Sequence, residues 1–156
     1  MTGKKRLLVV AHAPSDNTAK LRDAVMAGAR HPDVDGVDVT LRTPLDTGPE
    51  DVLACDALIL GTTENLAYMA GLTKDFFDRC YYPCLEQTQG LPFAFYLRAG
   101  HDGTGTERAI RSITTGLRWK LVQDPLICRG SYDTRFEEQC RELGLYVAAS
   151  LDAGVI

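Results

Sequence analysis

No stretch of this sequence stays apolar for long. The run that follows the N-terminus, Leu7-Leu8-Val9-Val10-Ala11, is far short of the ~18 residues of a membrane span and shorter than the core of a secretory leader. A soluble, cytoplasmic protein with no membrane partner is therefore expected. Cysteine is scarce and unpatterned: five residues (Cys55, Cys80, Cys84, Cys128, Cys140) show no metal-ligand spacing, so no metal site is expected. An odd count suits a reducing compartment, and Cys80-x3-Cys84 reads as two small apolar side chains near a helix end. Net charge is also small, −4, which lacks the basic face that nucleic acid requires. There is no Gly-Lys-Ser/Thr of a Walker loop and no Gly-x-Gly-x-x-Gly of a dinucleotide turn. No Ser-His-Asp or Cys-His pairing assigns a catalytic side chain. Linkers, repeats and low-complexity segments are absent too, and residues 1–156 read as one domain.

What is present is alternation. Arg6–Ala11, Ala57–Gly61 and Pro92–Leu97 are short continuous apolar runs, the mark of strands covered on both faces, and Leu126–Cys128 is a shorter candidate. Val37–Leu41 alternates apolar with polar, as an edge strand does. Between them, helical stripes fall on Leu21/Ala24/Val25/Gly28, on Leu72/Phe76/Cys80, on Ile110/Ile113/Leu117 and on Phe136/Cys140/Leu143/Val147, with a short helix over Pro49–Ala54. Strands alternating with helices imply an α/β fold, a parallel sheet with helices on both faces.

Three strand-to-helix loops carry the chemistry. The first, His12-Ala13-Pro14-Ser15-Asp16-Asn17-Thr18, is small and hydroxyl-bearing and opens directly into a helix, whose N-terminus favours an anion. Ser15, Asn17 and Thr18 suit a phosphate cradle, although Ser15, Asp16 or Asn17 equally suits a helix cap. The second, Gly61 to Gly71, is expected to be a long loop, a length that is often functional. In it Leu66 and Tyr68 offer apolar surface to a flat ring, Thr62, Glu64 and Asn65 offer polar groups, and Met69 reads as core. The third, Arg98 to Glu107, holds Gly100, Gly103 and Gly105, which allow a ligand close to the backbone. His101 there reads as solvent-facing or capping, and Asp102 as a cap or as an acceptor for a ring N–H.

Asp56-Ala57-Leu58-Ile59-Leu60-Gly61-Thr62, followed by Gly71-Leu72-Thr73-Lys74-Asp75-Phe76-Phe77-Asp78-Arg79, resembles a pattern of the flavodoxin-like superfamily. The likeness is to strand, Gly-Thr-Pro, variable loop, then Lys-x-Phe-x-Asp-Arg, and in particular to the NAD(P)H-dependent FMN reductase and quinone reductase branches. Leu91-Pro92-Phe93-Ala94 through the glycine loop resembles the fourth strand and second ring-binding loop. The resemblance implies a flavodoxin-like three-layer sandwich with a five-stranded parallel sheet in the order 2-1-3-4-5. In that order a ligand sits at the carboxyl ends of the first and third strands. It implies FMN, with the phosphate on Ser15, Asn17 and Thr18. The ring would lie between Thr62, Thr63, Glu64, Asn65 and Leu66 on one side and Gly100, His101, Asp102 and Gly103 on the other. His12, Pro14, Asp16 and Tyr68 complete the expected cofactor-binding set, while Lys74, Asp78 and Arg79 are expected to be structural.

Two departures stand out: Thr63 replaces the usual proline, and the first loop lacks both Thr-Gly-x-Thr and Gly-Ser-x-Arg. The activity implied first is NAD(P)H-dependent reduction of a quinone or similar small acceptor. The alternatives are a flavodoxin-type electron carrier and a module of this fold that has lost FMN. A phospho-acceptor domain is strongly disfavoured, because Ala11-His12 and Gly61-Thr62 stand where its acidic residues belong. The resemblance also admits a homo-oligomer.

Overall fold

The computed structural model describes residues 3–156; Met1 and Thr2 lie outside the described residues. Along the chain run β1 (Lys5–Ala11), α1 (Asp16–Ala29), β2 (Val37–Arg42), α2 (Pro49–Ala54), β3 (Ala57–Asn65), β4 (Tyr68–Met69) and α3 (Gly71–Cys84). They are followed by β5 (Pro92–Ala99), α4 (Thr104–Gly116), β6 (Lys120–Leu121), β7 (Leu126–Arg129) and α5 (Arg135–Ala153). The main sheet is parallel, in the order β2-β1-β3-β5, with β6 and β7 both pairing with β5. The expected order 2-1-3-4-5 is therefore present. Its fifth place is filled by two pieces: β6 pairs with Pro92 and Phe93, and β7 pairs with Tyr96–Ala99.

Period-two burial sorts the strand side chains into two cores. Leu7, Val9, Ala11, Ile59, Ala94 and Tyr96 face one side, where α1 and α5 cover them with Leu21, Val25, Leu143 and Val147. Leu8, Val10, Leu58, Leu60, Phe93, Phe95 and Leu97 face the other, against Val52, Phe76, Phe77 and Ile110. Burial on both faces explains why these strands read as unbroken apolar runs. The α1–α5 contact is backbone-close. A Cβ on Gly28 would stand 1.9 Å from the Arg141 carbonyl oxygen, and one on Gly144 would stand 2.1 Å from that of Val25.

Three expectations need correction. The third strand does not end at Gly61; it runs on to Asn65 and turns back as β4, so the long loop is a β-hairpin. Thr62 and Thr63, both β-branched, extend the strand as such residues favour. Leu72, assigned to the buried stripe of α3, is 43% exposed and sits in the first turn of that helix, one residue after its start. The outer strand is longer than Leu126–Cys128 and is preceded by the separate β6.

Candidate functional site

β1, β3 and β5 lie side by side and parallel, so the segments that leave them emerge at one edge of the sheet. Hydrogen bonds tie these segments together. The His12 amide donates to the Gly61 carbonyl at 2.9 Å, joining the first loop to β3. Glu64 then joins the β3–β4 hairpin to the loop after β5: Oε1 accepts from the His101 amide and Oε2 from the Gly103 amide, each at 2.9 Å.

The start of α1 is a reciprocal cap. Ser15 Oγ accepts from the Thr18 amide at 3.2 Å, and Thr18 Oγ1 accepts from the Ser15 amide at 2.9 Å. Thr18 is buried, its hydroxyl within the cap. The amides of Asp16 and Asn17 find no acceptor among the described residues, as expected for the first turn of a helix. They and the exposed Asn17 side chain are the donors that the first loop offers an anion. Pro14 has no N–H, and the exposed Asp16 carboxylate opposes a phosphate. His12 is half-buried, and desolvation lowers its pKa below the ordinary histidine value, which favours the neutral ring.

The hairpin turns through Leu66 and Ala67 at φ 52° and 65°, between the paired residues Asn65 and Tyr68. Both lie in the left-handed region, which costs a non-glycine residue about 1–3 kcal/mol and is characteristic of functional loops. Leu66 is fully exposed and Tyr68 is 40% exposed, while Met69 is core, as expected. Thr62 is buried with Oγ1 2.7 Å from Thr73 Oγ1, which ties β3 to α3. Thr63 donates to Asn65 Oδ1 at 2.7 Å. Lys74 pairs with Asp78, and Arg79 binds Asp75 and the carbonyls of Thr47 and Pro44, so this motif braces the helix and the loop after β2.

The loop Gly100–Gly103 is held from both sides. Opposite Glu64, Arg129 Nε donates to the Asp102 carbonyl at 2.7 Å. Asp102 Oδ1 accepts from the Thr104 amide, which caps α4 and keeps this carboxyl below its usual pKa. Gly103 takes φ +72° at the helix start, where a side chain would be strained and would press on Ile127 and Leu97. His101 is exposed.

Thus Asn17, Thr63, Glu64, Asn65, Leu66, Tyr68, Gly100, His101 and Gly103 frame one edge, with His12 and Pro14 beside them. Ser15, Thr18, Thr62 and Asp102 serve as caps and braces behind it. The clamp made by Glu64 escaped sequence reasoning, because the backbone amides it binds leave no trace in the residue types. Thr106, in the first turn of α4, keeps a buried Oγ1 with no hydrogen-bond partner among the described residues. All five cysteines are free, and burial pushes the Cys55 and Cys80 thiols up to about 12. No group of His, Cys, Asp or Glu fit for a metal occurs among the described residues. No helix among them is long and apolar enough to cross a membrane.

No protein-family model matches the chain. A curated relative does: the chain is 30% identical over 159 residues to a flavodoxin from Aquifex aeolicus (strain VF5), covering 92% of this chain and 85% of that protein. The chain belongs to the flavodoxin family. Its fold agrees with that of solved members. A flavodoxin from the domain Archaea superposes with TM-score 0.78 at 20% identity, covering 94% of this chain and 98% of the other. The flavodoxin, WrbA-like protein from Agrobacterium tumefaciens gives 0.73 at 17% identity, covering 97% and 99%. The chain has the flavodoxin-like α/β fold, a parallel sheet with helices on both sides.

Proposed function

We propose that this chain binds one FMN at the rim formed by the loops after β1, β3 and β5, and that it carries electrons between redox partners in the cytoplasm. The single observation that carries this reading is the convergence of the three segments at one edge of the sheet, two of them joined by Glu64, in a chain that belongs to the flavodoxin family. The residues fit the cofactor in part. The Asp16 and Asn17 amides and the Asn17 side chain would hold the phosphate at the positive end of α1. Asp16 and the closed Ser15/Thr18 cap leave that cradle fewer donors than an open glycine loop would. Thr63, Glu64, Asn65, Leu66 and Tyr68 would flank the ring on one side and Gly100–Gly103 on the other.

Bound FMN supplies the group that accepts and releases electrons; the protein supplies binding, orientation and local electrostatics. Residues 1–156 would act as one unit, and no side chain of the rim is needed as acid, base or nucleophile. The fully exposed Leu66 and the part-exposed Tyr68 leave apolar surface open at the mouth of the site. A partner protein delivering electrons would approach there.

That same open surface supports a second reading, NAD(P)H-dependent reduction of a quinone or similar acceptor, with the nicotinamide stacking where the carrier would dock its partner. Family membership favours the carrier. Stopped-flow mixing of the flavin-loaded protein with NADPH and with NADH separates the two. The carrier is expected to keep its flavin absorbance for minutes with either nucleotide and to lose it at once with dithionite. Bleaching by a nucleotide within seconds would replace the carrier with the reductase.

A further inference from the structure

From the β3–β4 hairpin, Glu64 hydrogen-bonds the loop after β5, and it does so with both carboxylate oxygens. Bonds from amides to a carboxylate are roughly twice as strong as neutral ones. A second contact lies beside them. A Cβ on Gly105 would stand 2.1 Å from the Ala67 carbonyl oxygen, so the tip of the hairpin rests on the first turn of α4 where only a glycine leaves room. The turn that makes this contact is the strained one, Leu66-Ala67. A strained turn on an exposed hairpin holds its shape only when its surroundings over-determine it. Glu64 and Gly105 are the two features that do so here.

We propose that Glu64 is a positioning residue. It clamps the hairpin and the Gly100–Gly103 loop into one preformed wall, so that the cleft exists before its ligand arrives. The clamp deepens, and for its effect on FMN rests on, the reading given above. Its physical consequence is preorganisation: loops already held in place need no ordering when a planar ligand enters. Without the carboxylate the His101 and Gly103 amides lose their acceptor, the Arg129–Asp102 bond holds the loop from one side only, and the hairpin tip is free to lift from Gly105.

Amide hydrogen exchange by NMR on the flavin-free protein tests the clamp without any ligand. In E64A the His101 and Gly103 amides are expected to exchange at least about tenfold faster, with the amides of β1, β3 and β5 unchanged. E64Q keeps one acceptor oxygen and turns an NH2 toward the second amide, so protection is expected to survive at one of the two. In G105A, with Glu64 intact, the displaced Ala67 carbonyl is expected to loosen both. Unchanged protection in E64A would overturn the clamp.

Titration with FMN, followed by quenching of flavin fluorescence, tests what the clamp is for. E64A is expected to bind about 10- to 100-fold more weakly, the loss of one or two hydrogen bonds to a charged group, with E64Q between E64A and the parent. The visible spectrum of the bound flavin should broaden toward that of free FMN in E64A. Faster exchange in E64A together with unchanged or tighter FMN binding would overturn the positioning role. If the parent protein takes up no FMN, the flavin reading fails and the positioning role toward FMN fails with it. The exchange data then decide the clamp alone.

Discussion

Asn17 is the residue on which the phosphate end of the rim turns. Its amide has no acceptor, its side chain is exposed, and it stands in the first turn of α1 beside Asp16. Asn17→Asp would set a second carboxylate there. An acidic residue in the first turn suits the helix dipole, so thermal stability should hold or rise slightly. FMN affinity should nonetheless fall by about tenfold, because like charges then meet at short range. Parallel melting curves and FMN titrations read the two effects separately; an affinity that does not move would put the phosphate elsewhere. Side-chain roles were only half legible beforehand. Ser15 and Thr18 have the residue types of a cradle and of a cap alike, and in the folded chain their hydroxyls close on each other. Glu64 was expected to face the ring; its partners are backbone amides far along the chain, which no residue type announces.

At the level of elements, the helix pair α1 and α5 is the most demanding contact. Gly28 and Gly144 let the two backbones approach so closely that a methyl group on either would overlap a carbonyl oxygen of the other helix. Gly144→Ala is expected to cost about 1–3 kcal/mol, the usual penalty for overpacking. Urea denaturation should show it as a lower midpoint with an unchanged slope; an unshifted midpoint would mean that the helices pack otherwise. Strands and helices were readable because both faces of the sheet are covered, which leaves long marks in the sequence such as Leu7–Ala11 and Pro92–Leu97. The β3–β4 hairpin was not readable. Tight two-residue turns usually announce themselves by Asn-Gly or Asp-Gly, and this one uses Leu66-Ala67, held by contacts from outside the hairpin. The two-piece outer strand escaped for a related reason: β6 is only Lys120–Leu121, too short for any periodicity.

For the whole molecule, the parallel sheet gathers three separate segments of the chain at one rim, where Glu64 joins the β3–β4 hairpin to the loop after β5 and His12 bonds the first loop to β3. The most direct measurement is a titration of the flavin-free, 15N-labelled protein with FMN, following both stoichiometry and the amide spectrum. One FMN per chain is expected, with the largest shifts at Asp16 and Asn17, at Thr63 to Tyr68 and at Gly100 to Gly103. Absence of binding, or shifts centred away from these three segments, would contradict the assignment of this rim to FMN.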